Sequence, residues 1–378
     1  MRKVMIIFGT RPEAIKMIPI IKELNQQAGL QSIIVTTGQH RELVKQMLAK
    51  FSIESDIDLD IMAPQQTLTD ITTRTLQRLE PVIKEIHPDI VLVHGDTTTT
   101  MAASLAAYYQ QIPVGHVEAG LRTGDKYSPY PEELNRVIAD AISDLYFAPT
   151  ELSQQNLLRE HHQENHIYVT GNTAIDMMKY TLTKNWSHEV FNQLPADKKL
   201  ILLTMHRREN WGSKMAKVFA AMNQFVNEHE EVAVVFPVHP NPIVQKLAHQ
   251  YFDDNDRVQL IKPLDVIDFH NLAARSWVVL TDSGGIQEEA PALKKPVLVL
   301  RESTERPEGV TAGVLRLVGT NPDVIKTMLN HLLHDEVTYQ SFLTNQNPYG
   351  DGQAAQRIVK IIAQWLLKEG DTDCASNY

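Results

Sequence analysis

The sequence predicts an α/β protein of two domains, each built on a parallel β-sheet. The chain has 378 residues, which is longer than a single hydrophobic core usually grows. Short, continuously apolar runs recur along it with helix-like segments between them, as expected for buried strands joined in βαβ units. The series of runs occurs twice, so we predict two similar α/β domains.

The predicted strands fall into two series that a stretch without strand-like runs separates. This stretch extends from Thr173 to Lys198. We therefore expect one domain at residues 1–172, a second at 173–352, and a closing helix with a polar tail at 353–378. The predicted strands are Val4–Phe8, Ile33–Thr36, Ile90–His94, Val114–Val117, Leu145–Phe147 and Ile167–Val169, followed by Leu200–Thr204, Val232–Val238, Val258–Ile261, Trp277–Leu280, Val297–Leu300 and Leu315–Val318.

Composition and charge limit the classes of partner. A formal net charge of -10 disfavours nucleic acid and anionic membranes, because both attract positive surfaces. No apolar run approaches the ~18 residues of a membrane-spanning helix, and Val4–Phe8 is too short for a signal peptide. The single cysteine, Cys374, cannot form an intrachain disulfide, so we expect a cytoplasmic protein.

The segment Gly9–Lys16 follows the first predicted strand and indicates a strand-to-helix turn. Thr10 can cap the helix, and Glu13 can complete a capping box. One interpretation is a well-capped helix. The other is a phosphate site made of free amides at the positive end of the helix dipole, helped by Arg11 and Lys16. The turn lacks G-x-G-x-x-G and the chain lacks a P-loop motif, so bound NAD is not expected.

Three acidic residues of the first domain are predicted to lie on neighbouring loops. Asp96 and Glu118 each follow a strand, which places them at the carboxyl edge of the sheet, where ligands of open α/β sheets bind. Glu132 opens a helix after a rigid, proline-containing approach. Taken singly, Asp96 could be an N-cap and Glu132 a favourable charge at a helix dipole. Together the three acids favour general acid/base chemistry.

Polar residues also follow strands in the second domain. His206 lies in a segment that is either a solvated loop or a contact to phosphates or a leaving group. Ser283, Gly284 and Gly285 allow a close approach of the backbone, so a phosphate can bind their amides. Glu289, one helical turn farther on, is suited to bind a ribose diol.

Two acidic or histidine-rich patterns are interpreted as surface features. Asp56, Asp58 and Asp60 alternate in a way that could suggest a metal-dependent sugar transferase, but a solvated acidic edge is the favoured interpretation. His161 and His162 are interpreted as surface residues. No cluster has zinc-ligand spacing, so no metal is expected.

Taken together, the motifs resemble the bacterial non-hydrolysing UDP-N-acetylglucosamine 2-epimerases. Their order and spacing cover nearly the whole chain, and the combination is specific although each motif alone is weak. The motifs are Gly9-Thr10-Arg11-Pro12-Glu13, His94–Thr97, His116–Arg122, Pro131–Arg136, His206–Asn210, Asp282–Glu289 and Thr304–Glu308.

The resemblance implies two Rossmann-like domains around a cleft, in the glycosyltransferase-B type of fold. It also implies a homodimer that interconverts UDP-GlcNAc and UDP-ManNAc without a cofactor, in cell wall polysaccharide biosynthesis. The implied roles are UDP binding by Arg11, Lys16, Arg306 and the Ser283–Gly285 amides, ribose binding by Glu289, uracil binding by Phe269, and phosphate contact by Arg136.

The hypothesised reaction expels UDP from C1 and then removes the C2 proton to give 2-acetamidoglucal, and reversal completes the epimerisation. Asp96, Glu118 and Glu132 are assigned to proton transfer and to stabilising the cationic sugar, and His206 to assisting the leaving phosphate. Which carboxylate serves which face is left open.

Three alternatives share the fold: a hydrolysing epimerase that releases ManNAc and UDP, a UDP-sugar glycosyltransferase, and a non-catalytic sensor. Some relatives implied by the resemblance are activated by substrate at a second site. The corresponding segments here are Gln39–Glu42 and Met62–Gln66, and the second contains no Arg. Activation by substrate is therefore not expected.

Overall fold

Strands form where the sequence is continuously apolar. Val4–Phe8 and Ile201–Leu203 are completely buried, as expected for parallel strands that helices cover on both faces. All of the predicted strands are present. A further strand, Ile57–Asp58, was not predicted, because two residues at the edge of a sheet carry no readable hydrophobic period.

The chain divides into two units. The computed structural model describes residues 1–39, 41–63, 65–194, 197–344 and 346–375. The first unit comprises Met1–Met177 and Tyr349–Tyr378, and the second comprises Met178–Pro348. The first unit is therefore discontinuous in sequence, and the closing helix belongs to it.

In the first unit, strands and helices alternate along the chain, and every strand pairing is parallel. The strands are β1 (Arg2–Phe8), β2 (Leu30–Thr36), β3 (Ile57–Asp58), β4 (Ile90–His94), β5 (Val114–Val117), β6 (Leu145–Ala148) and β7 (Ile167–Val169). The helices are α1 (Arg11–Leu24), α2 (Arg41–Lys50), α3 (Leu68–Ile86), α4 (Thr98–Tyr109), α5 (Glu132–Ile142), α6 (Glu151–Arg159) and α7 (Thr173–Asp176), with a 3₁₀ turn at Glu164–His166. The sheet order is β3-β2-β1-β4-β5-β6-β7.

The second unit repeats this organisation with a second parallel sheet. Its strands are β8 (Lys199–Thr204), β9 (Val232–Pro237), β10 (Val258–Ile261), β11 (Val278–Thr281), β12 (Val297–Val299) and β13 (Leu315–Leu317). Its helices are α8 (Met178–Thr181), α9 (Ser213–Glu228), α10 (Pro242–Phe252), α11 (Val266–Arg275), α12 (Gly284–Ala292), α13 (Pro307–Thr311), α14 (Pro322–His334) and α15 (Glu336–Thr344), with 3₁₀ turns at Glu189–Asn192 and Arg208–Asn210. The sheet order is β10-β9-β8-β11-β12-β13. The predicted fold class, α/β with two parallel sheets, is confirmed.

The last helix, α16 (Ala354–Ala375), closes the first unit. It extends into the predicted polar tail, because a helix needs little additional free energy to propagate once it has formed. Within the described residues, no helix is long and apolar enough to cross a membrane.

Each sheet has a point where the strand order reverses. In the first unit, β1 and β4 are neighbours, and in the second unit β8 and β11 are neighbours. Chain segments leave such a pair of strands toward opposite sides, which opens a crevice at the carboxyl ends where α/β proteins bind ligands. The turns after β1, β4, β8 and β11 are therefore the expected positions of ligand-binding residues.

Candidate active site

Glu118 is the most constrained acid of the first unit. It follows β5 with a φ of 68°, a conformation that non-glycine residues rarely adopt and that clusters at functional sites. The backbone is held there because Glu118 N–H donates to the Phe147 carbonyl at 3.0 Å. The side chain is buried and points to Lys16, whose Nζ donates to Oε1 at 2.6 Å and to Oε2 at 2.8 Å.

Two further side chains surround the Glu118 carboxylate. His94 Nε2 lies 2.9 Å from Oε2, and Asn172 Nδ2 donates to Oε1 at 3.3 Å. Burial alone would raise the pKa of Glu118, but Lys16 and His94 outweigh it and hold the pKa well below its ordinary value. This setting favours the ionised form of Glu118 at neutral pH.

Asp96 has the opposite electrostatic setting. Burial raises its pKa, and the charges of Glu118 and Glu132 raise it further, while Arg136 and Lys16 act in the other direction. Arg136 NH1 lies 3.2 Å from the Asp96 carboxylate. The Asp96 side chain is 32% exposed to solvent. A carboxyl with a raised pKa and an accessible surface is suited to exchange protons with a ligand.

The two glutamates at the start of α5 have different roles. Glu133 is buried and accepts hydrogen bonds from the backbone N–H groups of Thr123 and Gly124. Its carboxylate also lies 2.7 Å from Arg136 NH2. Glu132 is only partly buried and lies close enough to raise the pKa of Asp96. The structure thus groups Asp96, Glu118 and Glu132, while Glu133 holds Arg136 in place.

The turn after β1 has the predicted capping box, with Thr10 and Glu13 bonded reciprocally. The Glu13 carboxylate also accepts from the Gly9 N–H at 3.1 Å and from the Thr97 hydroxyl at 2.8 Å. The chain's own carboxylate therefore occupies the amides that one interpretation left free for a phosphate. Arg11 begins α1, and Lys16, one turn later, contacts Glu118 rather than lying at the end of the helix.

In the second unit, Asp282 organises the turn that carries His206. Asp282 is completely buried after β11 and accepts the backbone N–H groups of His206 at 3.0 Å and Arg207 at 2.9 Å. Asn210 Nδ2 donates to the same carboxylate at 3.0 Å. Burial would raise the pKa of Asp282, but His206 and these N–H donors outweigh burial and lower it.

The imidazole of His206 is accessible, with 40% of its side chain exposed. Its Nδ1 lies 3.2 Å from Asp282, and its ring stacks on that of His239 at a centroid distance of 5.6 Å. Burial and the charge of His206 lower the pKa of His239. His206 is thus oriented by a buried anion on one side and a second imidazole on the other.

The N-terminus of α12 lacks a side-chain cap, since Ser283 makes no capping hydrogen bond. The amides of Gly284 and Gly285 therefore have the free N–H groups that attract an anion at a helix N-terminus. Arg306 lies directly over Gly284, so that a Cβ built there would be 2.6 Å from its NH1. A side chain at this position would displace the guanidinium.

Arg306 itself is oriented by two acids. Its Nε donates to Glu288 at 2.7 Å, and its NH1 donates to Glu305 at 2.7 Å. Burial would raise the pKa of Glu305, but Arg306, Arg301 and Arg207 together lower it to about 2. The arginine is thus fixed beside the open amides.

Glu289 contacts His270, the residue that follows Phe269 on α11. Glu289 Oε2 is 3.4 Å from His270 Nε2, and the other ring nitrogen, Nδ1, is 2.8 Å from the Thr181 hydroxyl. Phe269 precedes His270 on α11 and is only partly buried against the core of the second unit. The structure therefore groups Gly285, Glu289 and Arg306 around the start of α12, with Phe269 on the adjacent helix.

Sequence reasoning missed the residues that hold these groups. His94, Asn172 and Asp282 are buried polar residues that contact a predicted site residue. His94 and Asp282 lie inside the motifs singled out above. Their position at or directly after the end of a buried strand was the signal that could have identified them. Asn172 had no such signal, because it lies far in sequence from any predicted site residue.

The acidic alternation is an exposed edge, as predicted. Arg41 pairs with Asp58 at 3.3 Å and with Asp60 at 3.0 Å on the surface. In the described part of the chain, no group of three or more His, Cys, Asp or Glu residues is placed to hold a metal ion. His40 and Pro64, in the segments compared with a second substrate site, lie outside the described residues.

The fold and site define a class of protein before any comparison. Carboxylates with opposed pKa shifts follow β4, at the switch point of one parallel sheet, and the neighbouring strand β5. An arginine-covered, uncapped helix N-terminus lies at the switch point of the other sheet. Acid/base groups together with an anion-binding turn are features of an enzyme that acts on a phosphate-bearing substrate.

Comparisons with known proteins identify the family. The model of the family UDP-N-acetylglucosamine 2-epimerase matches residues 22–363. The chain is 56% identical over 358 residues to the UDP-N-acetylglucosamine 2-epimerase of Bacillus subtilis. The aligned region covers 95% of this chain and 94% of that protein. This chain belongs to the UDP-N-acetylglucosamine 2-epimerase family, so the sequence resemblance to these enzymes is confirmed.

Solved structures are similar over the same length. The S. aureus MnaA–UDP co-structure has a TM-score of 0.89 and 49% identity, and the match covers 97% of each chain. The Neisseria meningitidis UDP-GlcNAc 2-epimerase, solved bound to UDP-GlcNAc, has a TM-score of 0.87 and 44% identity, with 96% of this chain and 100% of that chain covered. The glycosyltransferase-B type of architecture expected from the resemblance is thereby confirmed.

Proposed function

We propose that this protein interconverts UDP-GlcNAc and UDP-ManNAc without net hydrolysis. UDP is eliminated to give 2-acetamidoglucal, and then UDP is added back at C1 while a proton is delivered to the opposite face of C2. The observation that carries the proposal is the contrast between two carboxylates at neighbouring strand ends. Asp96 has a raised pKa and Glu118 a strongly lowered one. Carboxylates that differ in this way are suited to different roles in one reaction.

In the proposed first step, the C1–O bond breaks and UDP leaves with the electron pair. Positive charge develops on the sugar ring, and the Glu118 carboxylate, whose pKa is held low, stabilises it, because a fixed anion in a buried site is more effective than one in water. His206 donates a hydrogen bond to the departing phosphate. Asp282 supports this role by holding the His206 backbone and ring.

In the second step, the C2 proton is transferred to a carboxylate and the uncharged glycal forms. Asp96 is the group we assign to this transfer, because its raised pKa brings it closer to the pH at which it can both accept and return a proton. Glu132, which lies near Asp96, is the remaining acid for delivery of a proton to the other face. Addition of UDP to C1 then completes the inversion at C2.

UDP binding is assigned to the groups at the start of α12. The open amides of Gly284 and Gly285 and the guanidinium of Arg306 bind phosphate oxygens, and Glu289 binds the ribose diol. The Ser283 N–H donates instead to the Thr281 hydroxyl at 2.9 Å. Phe269 contributes an apolar face for uracil. Arg11, Arg136 and Lys16 remain assigned to phosphate contact, although Lys16 also neutralises Glu118.

Proton NMR of the purified protein with UDP-GlcNAc in D2O tests the proposal directly. We expect UDP-ManNAc to form with deuterium at C2, because the proton removed from carbon exchanges with solvent before it is returned. Release of free ManNAc and UDP would instead identify a hydrolysing epimerase. An unchanged spectrum would contradict the epimerase assignment and favour a transferase or a sensor.

A further inference from the structure

His116 connects the two turns that carry Asp96 and Glu118. The residue lies on β5 and is completely buried. Its Nε2 lies 2.7 Å from the carbonyl oxygen of Gly95, the residue directly before Asp96. Two positions later along its own chain comes Glu118. A single side chain thus spans from one carboxylate-bearing turn to the other.

The hydrogen-bonding partners of His116 determine where its protons lie. A carbonyl oxygen only accepts, so Nε2 donates to Gly95. Nδ1 lies 2.6 Å from Asp140 Oδ1, and the other oxygen of Asp140 accepts from Arg122 NH2 at 2.7 Å and from Gly120 N–H at 3.2 Å. A carboxylate with these partners is ionised and only accepts, so Nδ1 donates as well.

The charges around the ring support a doubly protonated imidazolium. Burial would raise the pKa of Asp140, but His116 and Arg122 outweigh it and lower the pKa below its ordinary value. Arg122 in turn donates to both oxygens of Glu160, at 2.7 and 2.6 Å. Cations and anions therefore alternate from the surface to the Gly95 carbonyl, and each buried charge has an opposite neighbour.

The same two turns are also joined by backbone bonds. Gly95 N–H donates to the Val117 carbonyl at 2.9 Å, and Asn135 Nδ2 donates to the Asp96 carbonyl at 3.0 Å. Both Gly95 and Glu118 have positive φ angles. Glycine adopts a positive φ without strain, but at Glu118 the conformation persists only where the surrounding contacts fix it. The His116 bond is the contact that a side chain of β5 makes with the Gly95 carbonyl.

We propose that His116 is a positioning residue that acts as a buried imidazolium and keeps the Asp96 and Glu118 turns in register. This inference rests on the proposed function for the roles of the two carboxylates. It assigns no contact between His116 and the substrate. A displacement of reacting groups by about 1 Å can reduce a rate on the order of 10²-fold, which sets the size of the expected effect.

The charge state is tested on the wild-type chain. In ¹⁵N spectra of the histidine rings at neutral pH, with His116 identified by the signal missing from the His116→Gln variant, we expect protons on both ring nitrogens. A neutral ring with a single protonated nitrogen would overturn the inference. This readout does not depend on catalysis.

The positioning role is tested by kinetics. For His116→Gln we expect kcat to fall on the order of 10²-fold while KM and the Kd for UDP change by less than about threefold. His249→Gln is the matched control, because His249 forms an equally short pair with Asp253 on the exposed surface of α10. An unchanged kcat, or a loss confined to KM, would refute the role.

If His116→Gln does not fold, Asp140→Asn tests the same inference. This variant keeps the volume of the partner but removes its charge, so we expect a neutral His116 ring and a lowered kcat. A neutral ring with full kcat would overturn the inference. Failure of the proposed function is distinguishable, because it would leave the wild-type chain unable to epimerise UDP-GlcNAc.

Discussion

Lys16 and Glu118 are 102 residues apart in sequence, yet Lys16 Nζ lies within 2.8 Å of both oxygens of the Glu118 carboxylate. The pair is almost completely shielded from solvent, with 14% and 8% of the two side chains exposed. Removing one member of such a pair leaves the other charge buried without its partner. The lysine therefore controls the protonation of the acid that we assign to the cationic sugar.

Replacing Lys16 with Gln should move the acid limb of kcat/KM to higher pH. Lys16 lowers the pKa of both Glu118 and Asp96, so its loss should raise the limb by about one pH unit or more. Lys22→Gln, on the same helix but bonded to the Phe51 carbonyl, is the control and should leave the profile unchanged. An acid limb that does not move in Lys16→Gln would contradict the electrostatic role.

Replacing Asp96 with Asn should lower kcat on the order of 10²-fold or more and leave UDP binding nearly intact. In the wild type, kcat/KM should fall with decreasing pH through a pKa above the ordinary aspartate value, because the base must be ionised and its pKa is raised. Asp144→Asn is the control: burial raises the pKa of that residue also, but it accepts from Val114 N–H at the amino end of β5. Near-normal turnover in Asp96→Asn would contradict the assignment of Asp96 to proton transfer.

Gly284→Ala should weaken UDP binding about tenfold or more, because the new Cβ displaces the Arg306 guanidinium and with it a charge-assisted hydrogen bond. Isothermal titration with UDP measures the effect. Gly285→Ala is the comparison, since a Cβ there meets only Glu289 Oε1 at 3.9 Å. Equal losses in the two variants would show that the Arg306 contact is not the cause.

The pH dependence of stability should report on Asp176. This buried residue accepts hydrogen bonds from the N–H groups of Ala354 and Ala355, and burial raises its pKa to about 6. An acid with a raised native pKa stabilises the fold below its unfolded pKa and loses that contribution as pH rises through the native one. The stability advantage of the wild type over Asp176→Asn should therefore shrink by about 2 kcal/mol between pH 4 and pH 7. Urea unfolding at both pH values measures this, and a pH-independent difference would contradict it.

Initial rates should depend hyperbolically on UDP-GlcNAc concentration. Met62–Gln66 lacks the arginine that the family resemblance associates with activation by substrate. Rate measurements from well below to well above KM test this expectation. A sigmoidal curve would establish activation at a second site.

The sequence predicted the fold well because each strand of the sheet interior is a continuous apolar run between turn residues. Val4–Phe8 and Ile90–His94 could be identified for this reason. The edge strand Ile57–Asp58 could not, because it has only two residues, a partly buried isoleucine and an exposed aspartate.

The site was predictable only as a set of turns. Asp96 and His206 follow strands, and parallel strands bring their carboxyl ends to one edge. The side chains that contact the site residues depend on strand register and on the direction in which each side chain points. Neither can be read from the spacing of residues in the sequence. The bonds from Asp282 to His206, across 76 residues, and from Lys16 to Glu118 are examples.

The discontinuity of the first unit has a consequence for biosynthesis. Residues 178–348 are contiguous and hold all the strands of the second sheet, so every element of this unit is synthesised before α16. The first unit needs α16, whose N-terminal amides bond to Asp176. A ribosome-bound chain halted near residue 348 would therefore carry a complete second unit and a first unit whose last helix has not yet been synthesised.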